Sequence, residues 1–505
     1  MFNKILIANR GEIAVRIIRA CWDLDVQTVA VYSAADRDAP HVRRADEAYL
    51  IGPAPAAGSY LRIDKLIDVA RHSGAEAIHP GYGFLAENPD FADACAAADI
   101  TFIGPPASAM RAMGDKVEAR KRMIAAGVPV VPGTEGAFTG TPEQAVVEAR
   151  RIGFPVIIKA AAGGGGKGMR VVFDEADMAS SLERAQSEAR SSFASDIVYI
   201  ERFIQRPRHI EVQVLFDGFG NGLFFGEREC SIQRRHQKVV EEAPSPVIDA
   251  PTRAKLGEMA LAAARAADYV GAGTVEFLRD ASGSFYFMEV NARLQVEHPV
   301  TEEVYGRDLV KAQIRVAAGE KLRWTQEQIV PVGHAIECRI TAEDPERNFM
   351  PCPGKIGAVR VPSGPGLRDD SAVAPGYTIP LSYDPMIGKL IAKGASREEA
   401  IRRMLRGLEE YRLEGITTNI PFLRRLMEHP SFIEGELHTA FIEEHEEALM
   451  NTKTRELKEI TILGAAIHAY RSKVQSALQQ PDAEANDAGS RWVRLGRGRA
   501  LGRLS

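Results

Sequence analysis

Strand-like and helix-like runs alternate through the first hundred or so residues, and that order permits few folds. Residues 4–8 form a short apolar run, 11–22 carry apolar side chains at helical spacing, and 28–32 return to a strand pattern. A helix at 61–73, a strand at 77–79, a helix at 89–98 and a strand at 101–103 continue the series. Strands joined through helices pair in parallel, so this part predicts a parallel sheet with helices on its faces. The first strand-to-helix turn, Asn9-Arg10-Gly11-Glu12, lacks the G-x-G-x-x-G of dinucleotide-binding units. A Rossmann-like domain over 1–114 that need not bind a dinucleotide is the expectation.

The chain has 505 residues, too many for one core, so several domains are expected. Residues 115–330 mix helices with antiparallel strand pairs and enclose a small lobe at about 131–203 around a glycine-rich hairpin. Residues 331–447 are strand-rich, with turn signals at Pro351, Pro362 and Pro375 and helix patterns at 397–411 and 420–428. In the remaining stretch, 448–505, a helix pattern at 456–474 precedes a polar, basic end expected to be disordered. The formal charge of -5 announces no polyanion-binding surface, so no nucleic-acid partner is expected. No apolar run approaches the roughly 20 residues of a membrane helix, and Met1 leads into the first strand without a signal-type apolar stretch. Five scattered cysteines without a Cys-x-x-Cys pair predict buried thiols in a reducing cytoplasm.

Two places carry chemistry on their own residues. Gly163-Gly164-Gly165-Gly166-Lys167-Gly168 separates strand-like runs at 154–159 and 169–173, so it reads as a hairpin tip. Such backbone approaches phosphate oxygens closely and offers several N–H donors. An exposed glycine turn would show the same run, but Lys159 and Lys167 favour phosphate. Walker A fails, because Ala161 and Gly168 occupy its first glycine and its Ser/Thr position.

The second place is a hairpin formed by 273–278 and 285–299 around Asp280-Ala281-Ser282-Gly283-Ser284. A turn centred on Ser282–Gly283 sets Glu276 opposite Glu289. Facing carboxylates repel unless a cation lies between them, and Mg2+ with ATP phosphates suits that position. Period-two alternation puts Glu289, Asn291, Arg293, Gln295 and Glu297 on one face, a candidate active-site wall. His209, Glu211 and Gln213 share a strand face, and Gln233, His236 and Lys238 lie in a cationic run without interleaved aromatics.

These segments resemble biotin carboxylases, in order, over about residues 1–446. The resemblance is carried by KILIANRGEIAVRIIR (4–19), HPGYGFLAEN (79–88), GDK (114–116), KAAAGGGGKGMR (159–170), ERFI (201–204) and RHIEVQV (208–214). ERECSIQRRHQKVVEEAP (227–244), GTVEF (273–277), MEVNARLQVEHPVTE (288–302) and GHAIECRITAEDP (333–345) complete it. It implies an α/β architecture, α+β overall: an ATP-grasp fold between a Rossmann-like domain and a β-rich biotin carboxylase C-terminal domain.

The resemblance also implies roles. Lys116, Lys159, Glu201, Ile204, His209, Gln233 and His236 are expected around ATP, with Gly165 and Gly166 in a lid over the phosphates. Glu276, Glu289 and Asn291 are expected to hold Mg2+ or Mn2+. Lys238, Arg293, Gln295 and Val296 are expected to bind bicarbonate, Glu297 to act as base, and Arg339 to stabilise the enolate-like oxygen of biotin. The implied activity is ATP-dependent carboxylation of biotin through carboxyphosphate, the first half-reaction of an acetyl-CoA, propionyl-CoA or pyruvate carboxylase. The absence of Ala-Met-Lys-Met and of a carboxyltransferase region leads us to expect biotin carboxyl carrier protein and carboxyltransferase on other chains, with 456–474 as a docking helix. A homodimer or larger assembly is implied, although Pro365 replaces the aromatic residue common at that interface, where Arg19 and Arg368 are kept. Arg202 stands where many relatives carry lysine. The alternative activity is another ATP-grasp ligase, of carbamoyl-phosphate or purine-pathway type. A non-catalytic scaffold is disfavoured because every expected position is filled.

Overall fold

Ile13, Ala14, Ile17, Ile18 and Cys21 recur at helical spacing, and all are buried along the helix Gly11–Trp22. That helix packs on five parallel strands, β1 (Lys4–Ile7), β2 (Gln27–Ser33), β3 (Glu47–Gly52), β4 (Ala77–His79) and β5 (Thr101–Phe102). Their order is β3-β2-β1-β4-β5. The Asn9 amide fixes the first turn by donating to the carbonyls of Pro80 and Tyr82 at 2.7 and 2.8 Å. The chain is seen here as a computed structural model that describes residues 1–134, 136–160, 169–193, 197–450 and 455–479.

The lobe anticipated around the glycine run has its own hydrophobic cluster, including Phe138, Ile152, Ile158, Leu182 and Ile200. Strands β6 (Val156–Ala160), β7 (Met169–Val172) and β8 (Val198–Arg202) pair antiparallel in the order β7-β6-β8. Lys159 faces Met169, so the flanks of the expected hairpin are in register. The glycines themselves, with Gly165 and Gly166, lie outside the described residues.

The main sheet has eight antiparallel strands. Six are β9 (Arg208–Phe216), β10 (Gly222–Arg234), β11 (Gln237–Ala243), β12 (Gly271–Arg279), β13 (Phe285–Asn291) and β14 (His334–Thr341). They run β13-β12-β9-β10-β11-β14, and Met386–Gly394 and Leu367–Ser371 extend the sheet beyond β14. The strand-rich region after residue 330 is thus continuous with the preceding sheet, β14 pairing with β11 through Val240↔Cys338 and Glu241↔Glu337.

A register shift in β10 between Phe224 and Glu227 contains Gly226 at φ +61°. A Cβ there would meet the Tyr305 hydroxyl at 1.8 Å. Left-handed backbone and overpacking both penalise a side chain. Gly226→Ala is expected to destabilise the body by about 2–4 kcal/mol, measured by denaturant unfolding; a change below about 0.5 kcal/mol would contradict this packing.

Residues 451–505 form a separate unit, of which the helix Arg455–Gln479 is described; its residues 460–472 are exposed. The expected helix at 456–474 falls within it, whereas the polar end at 481–505 lies outside the described residues. Among the described residues no helix is long and apolar enough to cross a membrane. The five cysteines are free, and all but Cys352 are buried.

Candidate active site

A cleft of about 1200 Å3 opens over the main sheet, above the usual range for a single small ligand. Its acidic wall is the β12–β13 hairpin, where Glu276 faces Glu289 and Thr274 faces Asn291. The pairing is the expected one, but it is reached differently. Next to the turn the ladder runs one residue out of the anticipated centring, with Phe277 opposite Phe287. Met288 is the extra residue of a bulge that restores Glu289 to Glu276.

The second expectation for this segment needs correction. Strand β13 ends at Asn291, so Arg293, Gln295 and Glu297 do not continue a period-two face. They lie in a loop that ends where Glu297 N-caps the helix His298–Tyr305. The loop is bound from the far side of the cleft: Glu87 accepts from the Ala292 N–H and from Arg293 Nε, each at 2.9 Å. Alternation reports a polar face but cannot see a carboxylate from a distant loop that pulls the chain out of the ladder. All three side chains still line the cleft.

Lys238 organises the centre. Its ammonium lies 2.5 Å from Glu211, 2.9 Å from Glu276 and 2.6 Å from Glu297. Burial would lower its pKa, but those carboxylates raise it well above the ordinary lysine value. Burial also opposes ionisation of Glu297, yet Lys238, Arg339 and Arg228 hold its carboxyl well below the usual range. Glu276 behaves likewise: burial is outweighed by Lys238 and by His209, whose Nε2 is 3.1 Å away. Arg339 reaches Glu297 at 3.0 Å and Glu241 at 2.6 Å. Burial, offset in part by Arg339, pushes Glu241 up to about 7.

On the nucleotide side, Glu201 accepts from Lys159 at 2.8 Å and from Arg120 at 3.1 Å. Gln233 and His209 Nδ1 are 2.8 Å apart. His236 and Arg235 form the two-residue tip of the β10–β11 hairpin, at φ +63° and +50°. Glycine or asparagine normally occupies such a tip, so the backbone is strained where His236 meets the cleft. Lys116 starts the helix Lys116–Ala125, but its side chain lies outside the described residues. Ile204 is buried and is not among the cleft-lining residues, unlike the other described positions expected around ATP.

Glu276, Glu289 and Asn291 offer oxygen donors, the set that Mg2+ or Mn2+ prefers. The buried Asn291 Nδ2 has no hydrogen-bond partner while its Oδ1 accepts from Arg293, so the amide is held at the wall by its oxygen alone. A closer cluster, His209, Glu211 and Glu276, has ligand atoms within 4.8 Å of one another, but the Lys238 ammonium already bridges its two carboxylates. The residues present therefore fit a divalent ion at the Glu276–Glu289 pair.

Four contributors escaped the sequence reading. Glu87 lies in a turn, Arg120 on the helix Lys116–Ala125 and Glu241 on β11, and their partners are distant in sequence. Arg228 is fully buried and donates to Glu211, Gln213, Thr274 and Thr301, fixing the carboxylate behind Lys238. Its signal was an arginine inside a buried strand, a position that requires acceptors.

Family comparison settles which chemistry this arrangement belongs to. Residues 1–110 match the biotin carboxylase N-terminal domain, 115–325 the ATP-binding domain of the carbamoyl-phosphate synthase large chain, and 337–444 the biotin carboxylase C-terminal domain. Biotin carboxylase 1 of Bacillus subtilis is 54% identical over 447 residues, 88% of this chain and 99% of that protein. The chain belongs to the biotin carboxylase family. Another relative is a pyruvate carboxylase subunit of Methanothermobacter thermautotrophicus, 54% identical over 88% of this chain and 90% of its own length. Among solved structures, the biotin carboxylase domain dimer of Hydrogenobacter thermophilus 2-oxoglutarate carboxylase, with MgADP, ADP and bicarbonate, has a TM-score of 0.84. It is 47% identical, covering 90% of this chain and all of that one. The Campylobacter jejuni biotin carboxylase in complex with β-γ-ATP also gives 0.84, at 48% identity over 88% of this chain and 99% of that one. As a biotin carboxylase family member the chain is an ATP-dependent enzyme that carboxylates biotin, on the α/β fold expected from its sequence. The carbamoyl-phosphate alternative is confined to the central ATP-binding match.

Proposed function

We propose that Glu297 is the general base of a bicarbonate-dependent biotin carboxylation carried out in this cleft. The supporting observation is its carboxylate, fully buried and held between Lys238 at 2.6 Å and Arg339 at 3.0 Å, beside the Glu276–Glu289 wall. Lys159, Glu201, His209, Gln233 and His236 hold ATP, joined by Lys116 and Ile204 and by the lid glycines Gly165 and Gly166. Lys238, Arg293, Gln295 and Val296 bind bicarbonate. Glu276, Glu289 and Asn291 hold Mg2+ or Mn2+, which supplies positive charge at the phosphates.

Glu297 removes the bicarbonate proton, and the freed oxygen attacks the γ-phosphorus as the bond to ADP breaks. The resulting carboxyphosphate splits into CO2 and phosphate. Phosphate takes the ureido N–H proton of biotin, and that nitrogen forms the new bond to CO2. Arg339 stabilises the negative charge that develops on the ureido oxygen.

We assign the chain four parts, 1–114, 115–330 with a lid at about 131–203, 331–447 and 448–505. Biotin is presented by a separate carrier protein, and a carboxyltransferase on another chain uses the product. The chain works in the cytoplasm as a homodimer, a reading supported by the dimer of the Hydrogenobacter domain.

The test is ATP hydrolysis by the purified chain with Mg2+. Turnover is expected to require bicarbonate and to rise with free biotin. Stimulation by ammonia or an aminoribonucleotide instead would overturn the assignment.

A further inference from the structure

The strand Met386–Gly394 is mostly apolar and carries two lysines, of which Lys393 is partly exposed and Lys389 is not. Lys389 is fully buried between Ile387, Leu390 and Ile391. Its ammonium is 3.3 Å from Glu12 on the N-terminal helix and 5.7 Å from the Tyr82 ring. Neither Glu12 oxygen makes an aligned hydrogen bond, and burial pushes that carboxyl up to about 7. A pair of this kind does little for stability, because desolvation consumes most of its attraction. The well-formed hydrogen bond of Lys389 goes elsewhere, to the carbonyl of Val296 at 2.8 Å.

That carbonyl belongs to the bicarbonate loop. A trans peptide directs its C=O and N–H to opposite sides, and the Val296–Glu297 peptide is trans. Fixing the carbonyl on the buried side therefore turns the Glu297 N–H the other way. The preceding carbonyl is fixed as well, because His298 Nδ1 donates to Gln295 O at 2.7 Å. Among the described residues neither the Val296 nor the Glu297 N–H has a hydrogen-bond partner. Both residues line the cleft, at the N-terminus of the helix His298–Tyr305, where unpaired donors and the helix dipole favour an anion.

We propose that Lys389 is a positioning residue for bicarbonate: by tying down the Val296 carbonyl it presents the Val296 and Glu297 N–H groups to the anion. This rests on the bicarbonate assignment above. Lys389 touches no substrate and acts through the backbone of the loop.

The rival role is plain neutralisation of Glu12, and steady-state kinetics with thermal melting separates the two. Lys389→Met is expected to raise the bicarbonate KM at least about tenfold with the ATP KM within about twofold, as for a lost charge-assisted hydrogen bond. The Glu12→Gln/Lys389→Met double variant removes both charges and is expected to recover the melting temperature while the bicarbonate KM stays raised. Recovery of both in the double variant would overturn the proposal, as would an unchanged bicarbonate KM in the single one. If the single variant does not fold, the double variant decides alone. Failure of the wild-type chain to hydrolyse ATP with bicarbonate would instead remove the functional reading on which this depends.

Discussion

Replacing Glu297 with glutamine is expected to slow bicarbonate-dependent ATP turnover by a factor on the order of 10^3, with ATP affinity within about twofold of wild type. The carboxylate is the acceptor for both Lys238 and Arg339, which keep it ionised in the resting site. The amide retains one acceptor oxygen but cannot act as a base at neutral pH. The fold should persist, because Glu211, Glu276 and Glu241 remain as partners for the cations. Single-turnover ATP cleavage with bicarbonate, beside nucleotide binding by titration, checks the claim. Wild-type turnover in the variant would transfer the base function to another group.

Lys238→Met should produce the second large effect, and a pH dependence of defined sign. The substitution leaves three buried carboxylates short of a cation, which is expected to destabilise the protein by about 3–5 kcal/mol near neutral pH. In the wild type, Glu276 and Glu297 have depressed folded pKa values. Their pairing therefore stabilises above the unfolded value of about 4.3 and is lost as pH falls through the lower folded values. Without the ammonium, burial raises the folded values, and protonation relieves the strain as pH falls. The melting-temperature gap between wild type and variant should narrow from about pH 8 to pH 5. A gap independent of pH would mean that these carboxylates are not charged in the native site.

The elements read from the sequence were legible because their signals are local. The helix Gly11–Trp22 and the strand Ala77–His79 fall where apolar spacing put them. The Glu276–Glu289 opposition was also legible, since a hairpin turn determines its own ladder, although a bulge at Met288 was needed to deliver it. Periodicity failed at Arg293–Glu297, where Glu87, about two hundred residues earlier, dictates the path. Continuity of the sheet through β11 and β14 was equally invisible, because the two strands are separated by the whole β12–β13 hairpin and the helices after it. Long-range pairing leaves little trace in the spacing of either strand. For the same reason the partners of Lys389, Glu12 and the Val296 carbonyl, leave no trace in the sequence around it.

The β11–β14 ladder bears on how such enzymes can be recombined. A junction at residue 330 looks convenient for exchanging halves between relatives, but it cuts between hydrogen-bonded neighbours. A grafted second half must reproduce Val240↔Cys338 and Glu241↔Glu337 to the residue, since a slip of one turns every side chain to the opposite face. Arg339 would then point away from Glu297, and the hybrid would fold without an oxyanion donor. Chimeras are better joined in the stretch after residue 450, beyond the last element of the body, where no ladder of this sheet is crossed.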